Sequence, residues 1–172
     1  MQFDNSTSVA NTFAQFNCRG NENAYVFGQD EIASKNLSAN AGGYGGGGLI
    51  GGMIAGAINE AARNKNQEQE MIPGCMFIML DVTEAGIGVL AVKKAGLFKK
   101  WNTASVVDNT SLFFMRYEDM EFVELKKSMG GYLLSFKTKT GVTFRARIMG
   151  KVKELDYHDA GLQAIIARFG LK

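Results

Sequence analysis

Four textures of hydrophobic and polar positions follow one another along the chain, and a helical tail closes it. Residues 1–40 are polar with scattered aromatics. Within them Val9, Phe13 and Phe16 fall at helical spacing and predict a short helix from Ser8 to Phe16. Ala24-Tyr25-Val26-Phe27 has strand character and ends at Gly28, and residues 29–40 read as a loop or a weak second strand. Ala41 to Ile58 is rich in glycine and carries no charge. Asn59 to Glu70 is polar and favours helix until Pro73-Gly74 stops it. A β texture follows. The apolar runs Cys75–Val82 and Ile87–Val92 flank the turn Glu84-Ala85-Gly86 and predict a hairpin. Leu112–Arg116 predicts a strand, Tyr117–Met120 a polar turn, and Phe122–Ser128, Tyr132–Thr138 and Val142–Met149 three more strands. In the last of these Phe144, Ala146 and Ile148 alternate with Thr143, Arg145 and Arg147, the pattern of a half-buried strand. Leu155, Leu162, Ile165, Ile166 and Phe169 then recur at helical spacing, with Asp156 as N-cap and Gly170 just past the end.

A row of strands followed by one amphipathic helix predicts an α+β fold, its bent sheet plugged by the terminal helix. Three regions are expected: an N-terminal extension over 1–40 that offers a strand at 24–28, a glycine-zipper helical segment with its polar continuation over 41–72, and a β-domain with C-terminal helix over 73–172.

The 172 residues amount to 18.7 kDa, enough for one domain with a sizeable core. At 46% hydrophobic and 21% charged, wholesale disorder is excluded, and a net charge of +2 does not mark a nucleic-acid binder. Cys18 and Cys75 form neither a disulfide framework nor a metal motif, and a reduced compartment is a simpler reading than a single bridge between them. The opening residues lack the basic and apolar regions of a secretory signal, so a cytoplasmic protein is expected.

Met76 to Leu90, an apolar strand turning through a Thr-containing bend, Met115 to Glu124, an aromatic–acidic turn leading into a strand, and Gly141 to Ile148 with the closing helix together resemble the bacterial PH-like family, which includes GRAM-like and short bacterial PH domains. The resemblance covers residues 75–170. It implies a two-sheet antiparallel β-barrel or sandwich capped by a C-terminal helix, and a binding or scaffolding role rather than catalysis. Two departures stand out. Ala85-Gly86 occupies the place of the family's usual Arg after the first bend, and the Gly-rich segment lies outside the family pattern.

In that segment Gly43, Gly47 and Gly51 lie four apart, as do Gly48, Gly52 and Gly56. Such a glycine zipper lets a second helix approach closely, and needs that contact because each Gly costs about 1 kcal/mol against Ala in a helix. A membrane-inserting helix, a soluble helix packed on the β-domain or on a copy of itself, and a Gly loop before a short helix from Leu49 all fit. Gly43 to Gly48 also matches G-x-G-x-x-G. However, the preceding residues make a poor strand and no Lys-Ser/Thr follows, so nucleotide binding is the distant reading.

The stretch Lys93, Lys94, Phe98, Lys99, Lys100 and Trp101 sets ammonium groups around an apolar tip that suits an anionic membrane surface or an acidic protein partner. Lys137, Lys139, Arg145 and Arg147 extend the basic surface. His158 is the only histidine, and a place near a helix end suggests a surface or capping role. No catalytic, metal or cofactor constellation emerges, and no nucleic-acid partner is expected. The sequence thus reads as a non-enzymatic, membrane-associated binding or scaffold module. The alternative is a soluble protein–protein interaction module that homo-oligomerises through the Gly-rich helix.

Overall fold

A computed structural model of the protein describes residues 3–15, 20–41, 68–93, 105–107 and 113–171. Helix α1 spans Ser6–Ala14, strand β1 Asn23–Asp30 and helix α2 Glu31–Ala41. Strands β2 (Phe77–Thr83), β3 (Gly86–Lys93), β4 (Ser105–Val106) and β5 (Phe113–Arg116) follow, then a 3-10 turn at Tyr117–Asp119. β6 (Met120–Ser128), β7 (Gly131–Thr138), β8 (Thr143–Met149) and helix α3 (Asp156–Phe169) come last. The protein is α+β, with an antiparallel sheet and a C-terminal helix.

The sheet runs β4-β3-β2-β1-β8-β7-β6, and β5 pairs with β3 beside β4. β1, from the N-terminal region, therefore lies between β2 and β8, with Val26 opposite Leu80 and Gly28 opposite both Ile78 and Ile148. The sheet is bent around one interior. Val26, Leu80 and Val89 share a core with Leu125, Leu134, Phe136, Phe144, Ala146 and Ile148, and α3 adds Leu162 and Ile165. Phe113 bridges the two halves, its ring 4.9 Å from that of Phe144.

A second apolar layer covers the other face of β1–β3. Phe3, Val9 and Phe13 of the α1 region join Val152 and Leu155 over Tyr25, Phe27, Met79, Leu90 and Val92. Two-sided cover explains the sequence texture. Strands β2 and β3 are buried almost throughout, so they read as unbroken apolar runs, whereas β7 and β8 keep one wet face and alternate. The Tyr157 hydroxyl donates to the Phe3 carbonyl at 2.8 Å and fastens the N-terminal cover to α3. α3 itself lies so close to β1 that a Cβ at Gly161 would overlap the Tyr25 backbone, and Gly170 ends it at φ 67°.

Three local expectations are corrected. Residues 31–41 are a helix, not a loop or strand, because the Asp30 carboxylate accepts the Ile32 and Ala33 N–H groups and so nucleates the first turn. Glu68 to Glu70 are not helical: Glu68 bridges Thr143 and the Gln69 N–H donates to the Thr143 carbonyl, so this strap takes the place beside β8 that β1 vacates at Asp30. Asp156 is the first residue of α3, and Leu155 stands at the N-cap without a side-chain bond.

Candidate functional site

Of the residues that the sequence nominates for lipid or acidic-partner contact, Lys93 is the exposed last residue of β3, paired with Ser105 of β4. Lys94, Phe98, Lys99, Lys100 and Trp101 lie outside the described residues, as do Gly43, Gly47, Gly48, Gly51, Gly52 and Gly56. Lys93 and Ser105, which flank the lysine-rich segment, and Glu68, which follows the glycine-rich one, are described and lie at one end of the sheet. Gly28, Ile78 and Ala91 form one cross-strand row. Two residues past it β1 passes into α2 at Asp30, and β3 ends at Lys93.

Asp30 organises this end. Its Oδ1 accepts the N–H groups of Ile32 and Ala33 at 2.9 and 3.0 Å, and its Oδ2 accepts that of Met71 at 2.7 Å. The side chain is fully buried. Burial pushes its pKa up, against the three N–H bonds that stabilise the carboxylate. One carboxylate thus ties the start of α2 to the returning strap. Glu70 adds a second tie, accepting from Asn36 Nδ2 and from the Gly74 N–H, each at 2.6 Å.

On the outer face beside α2, charges from distant parts of the chain converge. Glu31 accepts from Arg147 Nη2 at 3.1 Å and lies 3.9 Å from Arg145 and 3.8 Å from Lys35, while Arg145 Nη2 is 2.8 Å from Glu68. Gln29, Glu31, Ser34, Lys35 and Arg147 line a shallow cleft of about 250 Å³. Arg145, Arg147 and Lys137 do face outward, as the alternation predicts, but Arg145, Arg147 and Lys137 each hold a carboxylate. The surface is therefore mixed in charge rather than simply basic.

His158 is a correction: it is fully buried, not a surface or capping residue. Its Nδ1 accepts the Phe27 N–H at 3.0 Å, and Nε2 lies 2.8 Å from the Met149 carbonyl, so Nε2 carries the proton and donates. The ring joins α3 to β1 and β8. The signal was present in the spacing, since His158, Leu162 and Ile165 fall on one helical face. Burial holds its pKa below the ordinary value. Its contribution to stability is full above the unfolded value near pH 6.5 and is lost as the pH falls below that. The stability advantage of wild type over His158→Gln is expected to shrink between about pH 7 and about pH 5. Thermal midpoints across that range check this, and a constant gap would exclude His158 as the titrating group.

Asp81 is the residue that sequence reasoning missed. It sits on the outer face of β2, between Tyr25 and Gly88, fully buried, and neither carboxylate oxygen has a hydrogen-bond partner among the described residues. Burial pushes its pKa up to about 8; the Ala24 N–H, outside hydrogen-bonding geometry, lowers it only in part, and Glu84 raises it further. Around neutrality this side chain is held mostly as a neutral acid. Cys75 is a free, half-buried thiol whose pKa burial, Glu70 and Asp30 all raise, which makes it a poor nucleophile.

Among the described residues no group of His, Cys, Asp and Glu is placed to hold a metal ion, and no helix is long and apolar enough to cross a membrane. Comparison with protein families, with curated proteins and with solved structures finds no match to this chain.

Proposed function

We propose that the protein is a non-enzymatic PH-like binding or scaffold module that works at an anionic membrane surface. The strand plan supports the fold reading. One antiparallel series (β1, β2, β3, β5) and a second (β6, β7, β8) join through β1 and β8, and α3 packs into their common core. The observation that carries the functional reading is the shared root. Lys93 pairs with Ser105, so the chain between them leaves and re-enters the sheet at one place, at the same end where α2 begins and the strap after the glycine segment rejoins the sheet. A surface meeting that end would meet Lys93, where the lysine stretch begins, and the strap that follows the glycine segment. Lys93, Lys94, Lys99 and Lys100 supply the attraction to anionic head groups, with Phe98 and Trp101 in the interfacial layer.

Co-sedimentation with phosphatidylserine-containing vesicles tests this. At about 1 kcal/mol per lysine, changing Lys93, Lys94, Lys99 and Lys100 to Glu should weaken binding by roughly a hundredfold or more. Binding that survives the quadruple change, or that is equal on neutral phosphatidylcholine vesicles, would refute the reading.

A further inference from the structure

We propose that β6 is a self-recognition edge through which two copies of the chain join their sheets, by antiparallel β6–β6 pairing about a two-fold axis at Leu125. The proposal is independent of the glycine segment and of the lysine stretch. β6 ends the strand order, and among the described residues its ladder partner is β7. The β6–β7 hairpin closes on Ser128 opposite Gly131, around a two-residue turn with Gly130 at φ 79°. The pair flanking such a turn exchanges both backbone hydrogen bonds. Counting back, Ser128, Lys126 and Glu124 direct their N–H and C=O groups to β7, while Lys127, Leu125 and Val123 direct theirs to the other edge.

Side-chain order then selects the partner and the register. β6 carries its acids first, Glu121 and Glu124, and its bases second, Lys126 and Lys127. Charges on an edge strand usually deter pairing. Antiparallel pairing with a second copy converts this particular order into a match. With the axis at Leu125, Glu124 of each copy stands opposite Lys126 of the other, and the outward N–H and C=O groups of Leu125 face their own counterparts. Moving the axis one residue either way sets Glu124 against Glu124, or Lys126 against Lys126. Parallel in-register pairing sets every charge against its like. Only the register centred on Leu125 sets Glu124 opposite Lys126 and leaves no like charges opposed.

Two details fit that register. Glu124 and Lys126 already share one face, 2.8 Å apart, so pairing would extend this contact into a four-charge ladder. Phe122, on the same face and 41% exposed, would lie opposite Ser128 of the second copy and gain cover from it.

Sedimentation of the full chain over a concentration series provides the test. Wild type should dimerise. Lys126→Glu and Glu124→Lys should each weaken the dimer by roughly tenfold or more, because each sets like charges opposite. The double swap Glu124→Lys with Lys126→Glu keeps the composition and restores the pairing, so it should recover the wild-type affinity. Lys127→Pro removes an outward N–H while leaving the β7 ladder alone, and should also yield monomer. A wild type that stays monomeric would overturn the proposal. So would single reversals that dimerise normally, a double swap that fails to recover, or a dimer abolished by Gly48→Leu with Gly52→Leu yet untouched by Lys127→Pro.

Discussion

Asp81→Asn is expected to raise the thermal midpoint by about 10 °C at pH 8, and by progressively less as the pH falls towards 5. The folded protein holds the Asp81 carboxyl with a pKa of about 8, while the unfolded chain releases that proton near the ordinary 3.8. A group whose folded pKa is raised stabilises fully below its unfolded value and loses that contribution as the pH rises through the folded one. The loss thus runs from about pH 4 to about pH 8, at up to about 1.4 kcal/mol per unit. Asparagine keeps the shape of the neutral acid and does not ionise. It restores most of this loss, less the cost of an amide with no partner. About 3 kcal/mol is a fair expectation, and each kcal/mol moves the midpoint of a chain this size by about 2–4 °C. The His158 contribution slopes the opposite way, so the comparison must be between variant and wild type at each pH. A variant whose pH profile runs parallel to wild type would remove Asp81 from the account.

Asp30→Ala is expected to cost about 3–5 kcal/mol and to loosen α2 and the strap together. Three backbone donors, on Ile32, Ala33 and Met71, would lose their acceptor at a fully buried position. An exposed helix cap would lose about 1 kcal/mol, because water replaces it. Burial excludes that rescue here. Asp30→Asn should fall between, since an amide oxygen can serve the helix while its NH2 confronts the Met71 donor. Denaturant unfolding gives the energy, and hydrogen exchange at the Met71 amide gives the location. Faster exchange confined to α2, with Met71 still protected, would mean that Asp30 caps the helix without holding the strap.

How far the chain revealed itself depended on which contacts are local. The alternation in β7 and β8 was legible because each strand has one wet face, and Pro73-Gly74 and Gly130 marked their turns because backbone geometry is a local property. The apolar runs of β2 and β3 announced burial but not their two covers, since Phe3, Phe13 and Leu155 come from either end of the sequence. Asp30 did carry a cap signal ahead of Glu31, but the weak apolar periodicity of residues 31–41 hid the helix behind it. The grouping of Glu31 with Arg145 and Arg147 follows from the pairing of β1 with β8, and no spacing rule predicts a pairing between strands that far apart.

That pairing bears on how a nascent chain behaves. The Phe27 N–H finds its acceptor on His158, 131 positions on, and the Phe3 carbonyl finds its donor on Tyr157, 154 positions on. During synthesis the first strand emerges with neither neighbour present, and its second one arrives only with β8. Contacts so distant in sequence slow folding and leave unpaired apolar strands waiting. Translation that stalls before residue 143 would leave β1 with a bare edge and no plug over the interior, a substrate for chaperones and proteases rather than a partly working module. Residues 143–169 decide when residues 23–30 can fold.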